Sequence, residues 1–347
     1  MGLKLNGLFV LLRDYFKSYL PVVRKSSPHT IRTYQVAMEQ FLDYIKEKRG
    51  IKFYEITIEM INRDTVVAYL EYLDIVKGCC ITTRNHRLNC INGFCKYASS
   101  FNLEAATCWH TIQLIKRARC ETKPVGYMSM DAINVLLEQP DSSTRMGLRD
   151  TFLMLFLYQT GARVQELVDV RIKDINFGTT PVVTLKGKGS KVRCIPLRNQ
   201  FALHLKKYLE TFHPKFEQYS DDYLFFTIRN GMHSRMTEDN VRRLVQKYGY
   251  AAKIKCPEIP DNVHPHLFRH SRAMHLYQNG VALPLVSEWL GHSRLETTLI
   301  YAHADTEQKR KAIERAIPDE STLKQFLNSD RYSIDDEETI KQLYGLK

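Results

Sequence analysis

No two cysteines in this 347-residue chain have the C-x-x-C spacing of a zinc site. Cys79 and Cys80 are adjacent, Cys90 and Cys95 are five apart, and Cys108, Cys120, Cys194 and Cys256 stand alone. That scatter argues against a disulfide scaffold. It suits free thiols acting as small buried hydrophobes in a reducing cytoplasm. No apolar run approaches the ~20 residues of a membrane span. The apolar stretch at residues 7–12 runs into Arg13 and Asp14, too short for a secretory signal. The clustered carboxylates of a metal-dependent nuclease are also missing. His264, His266, His270 and His275 lie close in sequence, but no carboxylate or cysteine joins them, so no metal is expected. Gly187-Lys188-Gly189-Ser190-Lys191 lacks the glycine spacing of a P-loop and does not lead into a helix, which removes the obvious nucleotide motif. No cofactor is implied.

Positive charge is plentiful. The chain carries a formal net charge of +12 with a pI near 9.2, which favours a polyanionic partner such as DNA. From Asp319 onward seven acids face four bases, so residues 1–318 hold +15 and the tail is not expected to lie on DNA. A chain of this length is too long for one small core and predicts two domains.

Apolar residues at helical spacing predict helices over residues 8–20, 30–48, 63–73 and 82–98, a small all-α unit. The stretch from Pro21 to Pro28 is expected to break the first. The fourth helix and the segment after it carry Arg84, Arg87, Lys96, Lys116, Arg117, Arg119 and Lys123, with Glu104 and Glu121 the only acids between Asp74 and residue 127. These cations, ending in a linker with Pro124 and Gly126, are candidates for contacts to a DNA backbone.

Beyond Tyr127 four segments stand out: TGARVQEL, LKGKGSKVRCIPL, HPHLFRH and LGHSRLETTLIYAH. β-Branched residues flank the glycine-rich turn of the second, predicting a hairpin with Lys188 at its tip. Pro265 suits the first turn of a helix on which His266 and Arg269, three apart, share a face. Gly291 suits a left-handed helix end, and Ser293 with Glu296 is the pattern of a capping box opening the next helix. Tyr301 is expected to leave the end of that helix on a shorter, freer segment. Arg163, Lys188, His266, Arg269 and His292 would thus gather fixed cations and hydrogen-bond donors around one tyrosine, as attack on a phosphodiester without metal requires. Arginine can grip two phosphate oxygens at once.

In order and spacing the four segments resemble the tyrosine recombinases, or phage integrases, particularly those of bacterial mobile elements. Phe268 and Ala162 stand where leucine is common, apolar for apolar. The resemblance implies that Tyr301 is the nucleophile and that Arg163 and Arg269 bind the scissile phosphate. Lys188 would protonate the departing 5′ oxygen, and His266 and His292 would complete the pocket, His266 being the first choice as proton acceptor. Glu166 would orient its neighbours, and His270 is expected as a hydrogen-bonded structural residue beside the site. The implied fold is mainly α with a small β-hairpin or sheet. It comprises a helical core-binding domain clamping DNA (residues 1–107), a basic linker (108–127), a catalytic domain (128–318) and a tail (319–347) lent to a neighbouring protomer. The implied activity is site-specific recombination of double-stranded DNA by a tetramer on two sites, through a 3′-phosphotyrosyl link and a four-way junction, in a bacterial cytoplasm. A type IB topoisomerase and a DNA-binding regulator that makes no use of the site are the alternatives.

Overall fold

The computed structural model describes residues 7–120, 125–187, 191–215, 217, 219–292, 294–304, 310 and 337–345. The chain packs as two units, Met1–Thr122 and Lys123–Lys347. The expected edge at residue 107 falls inside a helix of the first unit.

Among its described residues the first unit has helices and no strand. α1 (Gly7–Asp14) continues as a π-helical stretch over Tyr15–Val23, with Pro21 inside it. The helical run ends at Val23, inside the expected Pro21–Pro28 break, after passing Pro21: the turn widens, and the Arg24 N–H reaches the Tyr19 carbonyl five residues back at 2.9 Å. Proline lacks an N–H, and a locally altered register is one way a helix absorbs that loss. α2 (Pro28–Arg49) starts where Ser27 Oγ accepts from the Thr30 N–H at 3.2 Å, with Pro28 at the first helical position, and ends at Gly50 with φ +62°. α3 (Arg63–Glu71) passes into a second π-helical turn, Tyr72–Val76, and α4 (Ile81–Ala98) comes next. α5 (Leu103–Ile112), capped by Asn102, closes the unit. Its core is aromatic: Tyr15, Phe41, Tyr69 and Phe94 are buried together with Leu88 and Ile91. Burial of each such side chain contributes about 2–3 kcal/mol before entropy is charged against it.

The second unit opens with α6 (Met130–Leu137) and α7 (Arg145–Thr160). α7 ends at Gly161 with φ +61°, and a side chain there would meet Leu290 Cδ2 at 3.1 Å. The sharp turn delivers Arg163 to the start of α8 (Val164–Asp169). An antiparallel sheet in the order β1 (Ile175–Asn176), β2 (Val182–Lys186), β3 (Val192–Pro196) is next, pairing Leu185 with Arg193. After α9 (Asn199–Phe212) comes a second hairpin, β4 (Phe226–Arg229) and β5 (Met232–Arg235). Its two-residue turn, Asn230-Gly231, has both φ angles positive, 50° and 76°. α10 (Glu238–Lys255), α11 (Pro265–Gln278), α12 (Leu283–Leu290) and α13 (Glu296–Ala304) complete the body, with α14 (Glu337–Leu343) described in the tail.

α7 runs through the core, where Phe152 and Phe156 pack on Phe201, Tyr208 and Phe225. It also packs against α11, where the Tyr158 hydroxyl and His275 Nδ1 are hydrogen-bonded at 2.9 Å. Among the described residues no helix is long and apolar enough to cross a membrane. Of the free cysteines Cys90 and Cys95 are buried, whereas Cys80, Cys120 and Cys194 are exposed, so the expected buried role holds for only part of the set.

Candidate active site

The site is built around the end of α12. Arg163, the residue preceding α8, directs Nη2 to the Gly291 carbonyl at 3.4 Å. Arg269, on α11, directs Nη1 to the Gly161 carbonyl at 2.7 Å and Nη2 to the Leu290 carbonyl. Two guanidinium groups from different helices are thereby tied to successive carbonyls at a helix C-terminus, where partial negative charge offsets the cost of placing them together. Arg269 is only 2% exposed, and its burial, together with the nearby charges of Arg163 and Arg193, pushes its pKa down from the usual arginine value.

Glu166 supplies the counter-charge. Its Oε1 accepts from Arg163 Nη1 at 2.9 Å and from Arg193 Nη1 at 2.7 Å. Its Oε2 accepts from Arg193 Nη2 at 2.7 Å and from the Arg163 backbone N–H at 2.7 Å. Burial pushes this carboxyl upward, but the hydrogen bonds and charge of Arg193 and then Arg163 outweigh it, leaving the pKa below the usual range. Arg193 was not singled out from the sequence. It sits opposite Leu185 on the inward face of the hairpin, and an arginine at an inward strand position needs a buried partner. That alternation was the available signal.

Lys188 lies outside the described residues, as does Ser293 of the expected capping box. Both flanks of the lysine turn are described. The Gly187 N–H reaches the Lys191 carbonyl at 2.7 Å, and a side chain at Gly187 would come within 3.0 Å of Glu166 Oε1. Only glycine lets the hairpin pass so close to the carboxylate.

The histidines and the tyrosine are held by α11 and α13. His266 and His270, one turn apart, have ring centroids 6.1 Å from each other. The residue whose ring nitrogen meets the Tyr301 hydroxyl is His270, through Nδ1 at 2.9 Å, whereas His266 was the expected acceptor. One helical turn separates the two, and α13 lies against the later one. Tyr301 itself lies within α13 and is 0% exposed, not on a freer segment beyond a helix. Packing with Met274, Val286 and Leu290 gives this segment reason to stay helical. Burial raises the Tyr301 pKa to about 12, against the lowering effect of Arg269. Burial, then the neighbouring His266 and Arg269, lower His270 to about 4. His292 is likewise lowered to about 4 by burial, Arg269 and Arg163, and its Nδ1 is hydrogen-bonded to Thr298 Oγ1 at 2.9 Å. His266 is lowered by the same kinds of neighbour. All three imidazoles are neutral at pH 7 and can exchange a proton or a hydrogen bond with a phosphate.

A cleft of about 1140 Å³ opens on this arrangement, lined by Arg163, Arg193, Gly291 and His292 on its polar side and by Leu285 and Trp289 on its apolar side. No group of three or more His, Cys, Asp or Glu disposed to hold a metal occurs among the described residues.

The basic candidates of the first unit divide. Lys96 and Arg117 line one cleft of about 510 Å³ with Asn89, Asn92 and Trp109. The Asn85 side chain donates to the Ala118 carbonyl at 2.9 Å and accepts its N–H at 3.0 Å, which fixes the segment bearing Lys116, Arg117 and Arg119 along α4, with all three exposed. Arg84 is half-buried, and Arg87 points elsewhere, into a cavity with Asp43, Glu47 and Tyr69.

Residues 127–308 match the Phage integrase family, and residues 14–100 match the Phage integrase, N-terminal SAM-like domain. The putative integrase/recombinase y4rC of Sinorhizobium fredii is 30% identical over 313 residues, 90% of this chain and 92% of that protein. Tyrosine recombinase XerC of Chlamydia caviae is 28% identical, over 87% of this chain and 97% of that protein. Among solved structures, the XerH site-specific recombinase bound to palindromic difH substrate superposes with a TM-score of 0.66 at 23% identity, covering 84% of this chain and 81% of that one. The Tn1549 transposon integrase in complex with transposon right-end DNA gives 0.65 at 18%, covering 88% and 98%. The last two are likenesses of fold. With the family match spanning more than half of the sequence and the y4rC alignment most of it, the chain belongs to the phage integrase family, the tyrosine recombinases, enzymes that cleave and rejoin DNA strands.

Proposed function

We propose that the protein recombines double-stranded DNA site-specifically, with Tyr301 as nucleophile. One observation carries this reading: of two arginines tied to the carbonyls of Leu290 and Gly291, one, Arg269, lies close enough to act electrostatically on a tyrosine whose hydroxyl rests on a neutral histidine. The Tyr301 oxygen attacks the phosphorus and its proton passes to His270 Nδ1, while the bond to the 5′ oxygen breaks. A 3′-phosphotyrosyl link and, after protonation by Lys188, a free 5′-hydroxyl result. Because a phenol near pKa 12 does not give up its proton to an imidazole near pKa 4 unaided, transfer accompanies formation of the O–P bond. Arg163 and Arg269 take the charge growing on the phosphorane, and His266 and His292 donate hydrogen bonds to it. Attack by a second strand's 5′-hydroxyl reverses the step, with no ATP consumed.

Lys96, Lys116, Arg117 and Arg119 hold the DNA backbone from the first unit, setting register without reading sequence. Four protomers act on two duplexes in the cytoplasm of a bacterium, and residues 319–347, most of them outside the described residues, dock on a neighbour. Tyr301→Phe tests the core of the reading. It should bind DNA as the unaltered protein does yet form no adduct that survives denaturing electrophoresis; an adduct formed by this variant overturns the assignment. Cleavage should also be indifferent to EDTA.

A further inference from the structure

Glu166 is saturated. Two oxygens receive four donors, of which Arg193 provides two in a fork, one to each oxygen, at 2.7 Å. Arg163 is left with a single side-chain bond to the carboxylate, and its other Nη reaches only the Gly291 carbonyl at 3.4 Å. Both arginines border the cleft, but Arg193 is 10% exposed and Glu166 2%, so this pair is nearly closed to solvent, whereas the Arg163 side chain is 35% exposed. Were the fork absent, the stable arrangement for Arg163 would be the bidentate pair with Glu166 itself, its two Nη groups turned onto the carboxylate and away from a phosphate.

We infer that Arg193 is a positioning residue that occupies and neutralises Glu166 so that Arg163 remains free to bind the scissile phosphate. Two cations then face one carboxylate, and the surplus is offered to the substrate instead of being cancelled inside the protein. Gly291 belongs to the same device. A side chain at this position would meet Arg193 Cδ at 3.1 Å and Nη1 at 3.2 Å, so the close approach of the fork to the turn before His292 depends on glycine.

The inference rests on Arg163 binding the phosphate, as proposed for the cleavage step, and its test keeps the two apart. The substrate is a nicked duplex carrying the DNA sequence recovered from covalent adducts of the unaltered protein, and the readout is single-turnover adduct formation together with DNA affinity. If the unaltered protein forms no adduct through Tyr301, the functional reading fails before any Arg193 variant is made. Arg193→Gln should bind DNA normally and cleave about 100-fold more slowly, a loss typical of a displaced catalytic group. Adding Glu166→Gln to it should regain about tenfold, within the usual coupling between groups in contact, because a neutral amide no longer captures Arg163. A residue that merely braced the hairpin would give the opposite result, a double variant no faster than the single one, and that result overturns the proposal. Arg193→Lys, which keeps the charge without the fork, should fall between the unaltered protein and Arg193→Gln. It carries the test should Arg193→Gln prove unfolded by thermal melting, and a cleavage rate for Arg193→Lys equal to that of the unaltered protein would show the fork to be dispensable.

Discussion

At the scale of single residues, the arginines proposed to hold the phosphate are where charge should decide rate. Arg163→Ala and Arg269→Ala should each slow cleavage about 100- to 1,000-fold, as loss of one preorganised donor does, while DNA affinity, spread over many cations, changes little. Single-turnover cleavage beside a binding titration checks this, and parallel losses in both would make the arginines anchors instead of catalysts. Their place in the site was legible, since a permanently charged fork next to a glycine turn or on a histidine-bearing helix face has few structural uses. The partner of Tyr301 was harder to read. His266 and His270 are one helical turn apart, and which of them meets the hydroxyl depends on where α13 packs, a tertiary fact that spacing along α11 does not contain. Arg193 shows the same limit from the other side: its alternation put it inward, but only the fold reveals that its partner is Glu166.

At the scale of elements, glycine and proline punctuation made the β2–β3 hairpin, the start of α11 and the end of α12 readable. The Asn230-Gly231 hairpin, whose turn signal is equally strong, was missed, and α5, α9 and α10 fell between the motifs. The break expected between Pro21 and Pro28 falls after Val23, because a helix can widen around a proline when neighbouring side chains, here Tyr15 and Leu20, are anchored in the core. Two predictions belong to these elements. Lys188→Ala should slow cleavage of ordinary DNA but cleave near-normally a substrate with sulfur at the bridging 5′ position, whose better leaving group needs no proton. Failure of sulfur to rescue moves the acid elsewhere. Gly291→Ala should destabilise by about 1–2 kcal/mol through its φ of +63° alone. It should lose cleavage too, by displacing the Arg193 fork, and a melt together with a cleavage assay measures both.

At the scale of the whole molecule, the two-unit division and the basic first unit were implied by length and charge, but the residue at which the chain divides within the expected 108–127 linker was not. Packing places it after Thr122, because α5 and the two hydrogen bonds between the Asn85 side chain and the Ala118 backbone tie the basic segment to the first unit. The fold also sets a pH response. His270 and His292, near 4 in the native state, return to about 6.5 on unfolding, so between those values the unfolded chain binds more protons. Their contribution to stability is present above pH 6.5 and is lost as pH falls toward 4. His213, His264, His266 and His275 are depressed by burial and act with the same sign. The melting temperature should therefore drop between pH 7 and pH 5, and replacing His270 and His292 with Gln should flatten that slope; an unchanged slope contradicts it. Tyr301 brings one more consequence. A recombinase scanning a chromosome passes a very large number of phosphates that it must leave uncut. If Tyr301 is the nucleophile, as proposed, its burial within α13 leaves the unengaged protein nothing to strike them with, and reaching a phosphate would require its hydroxyl to be uncovered.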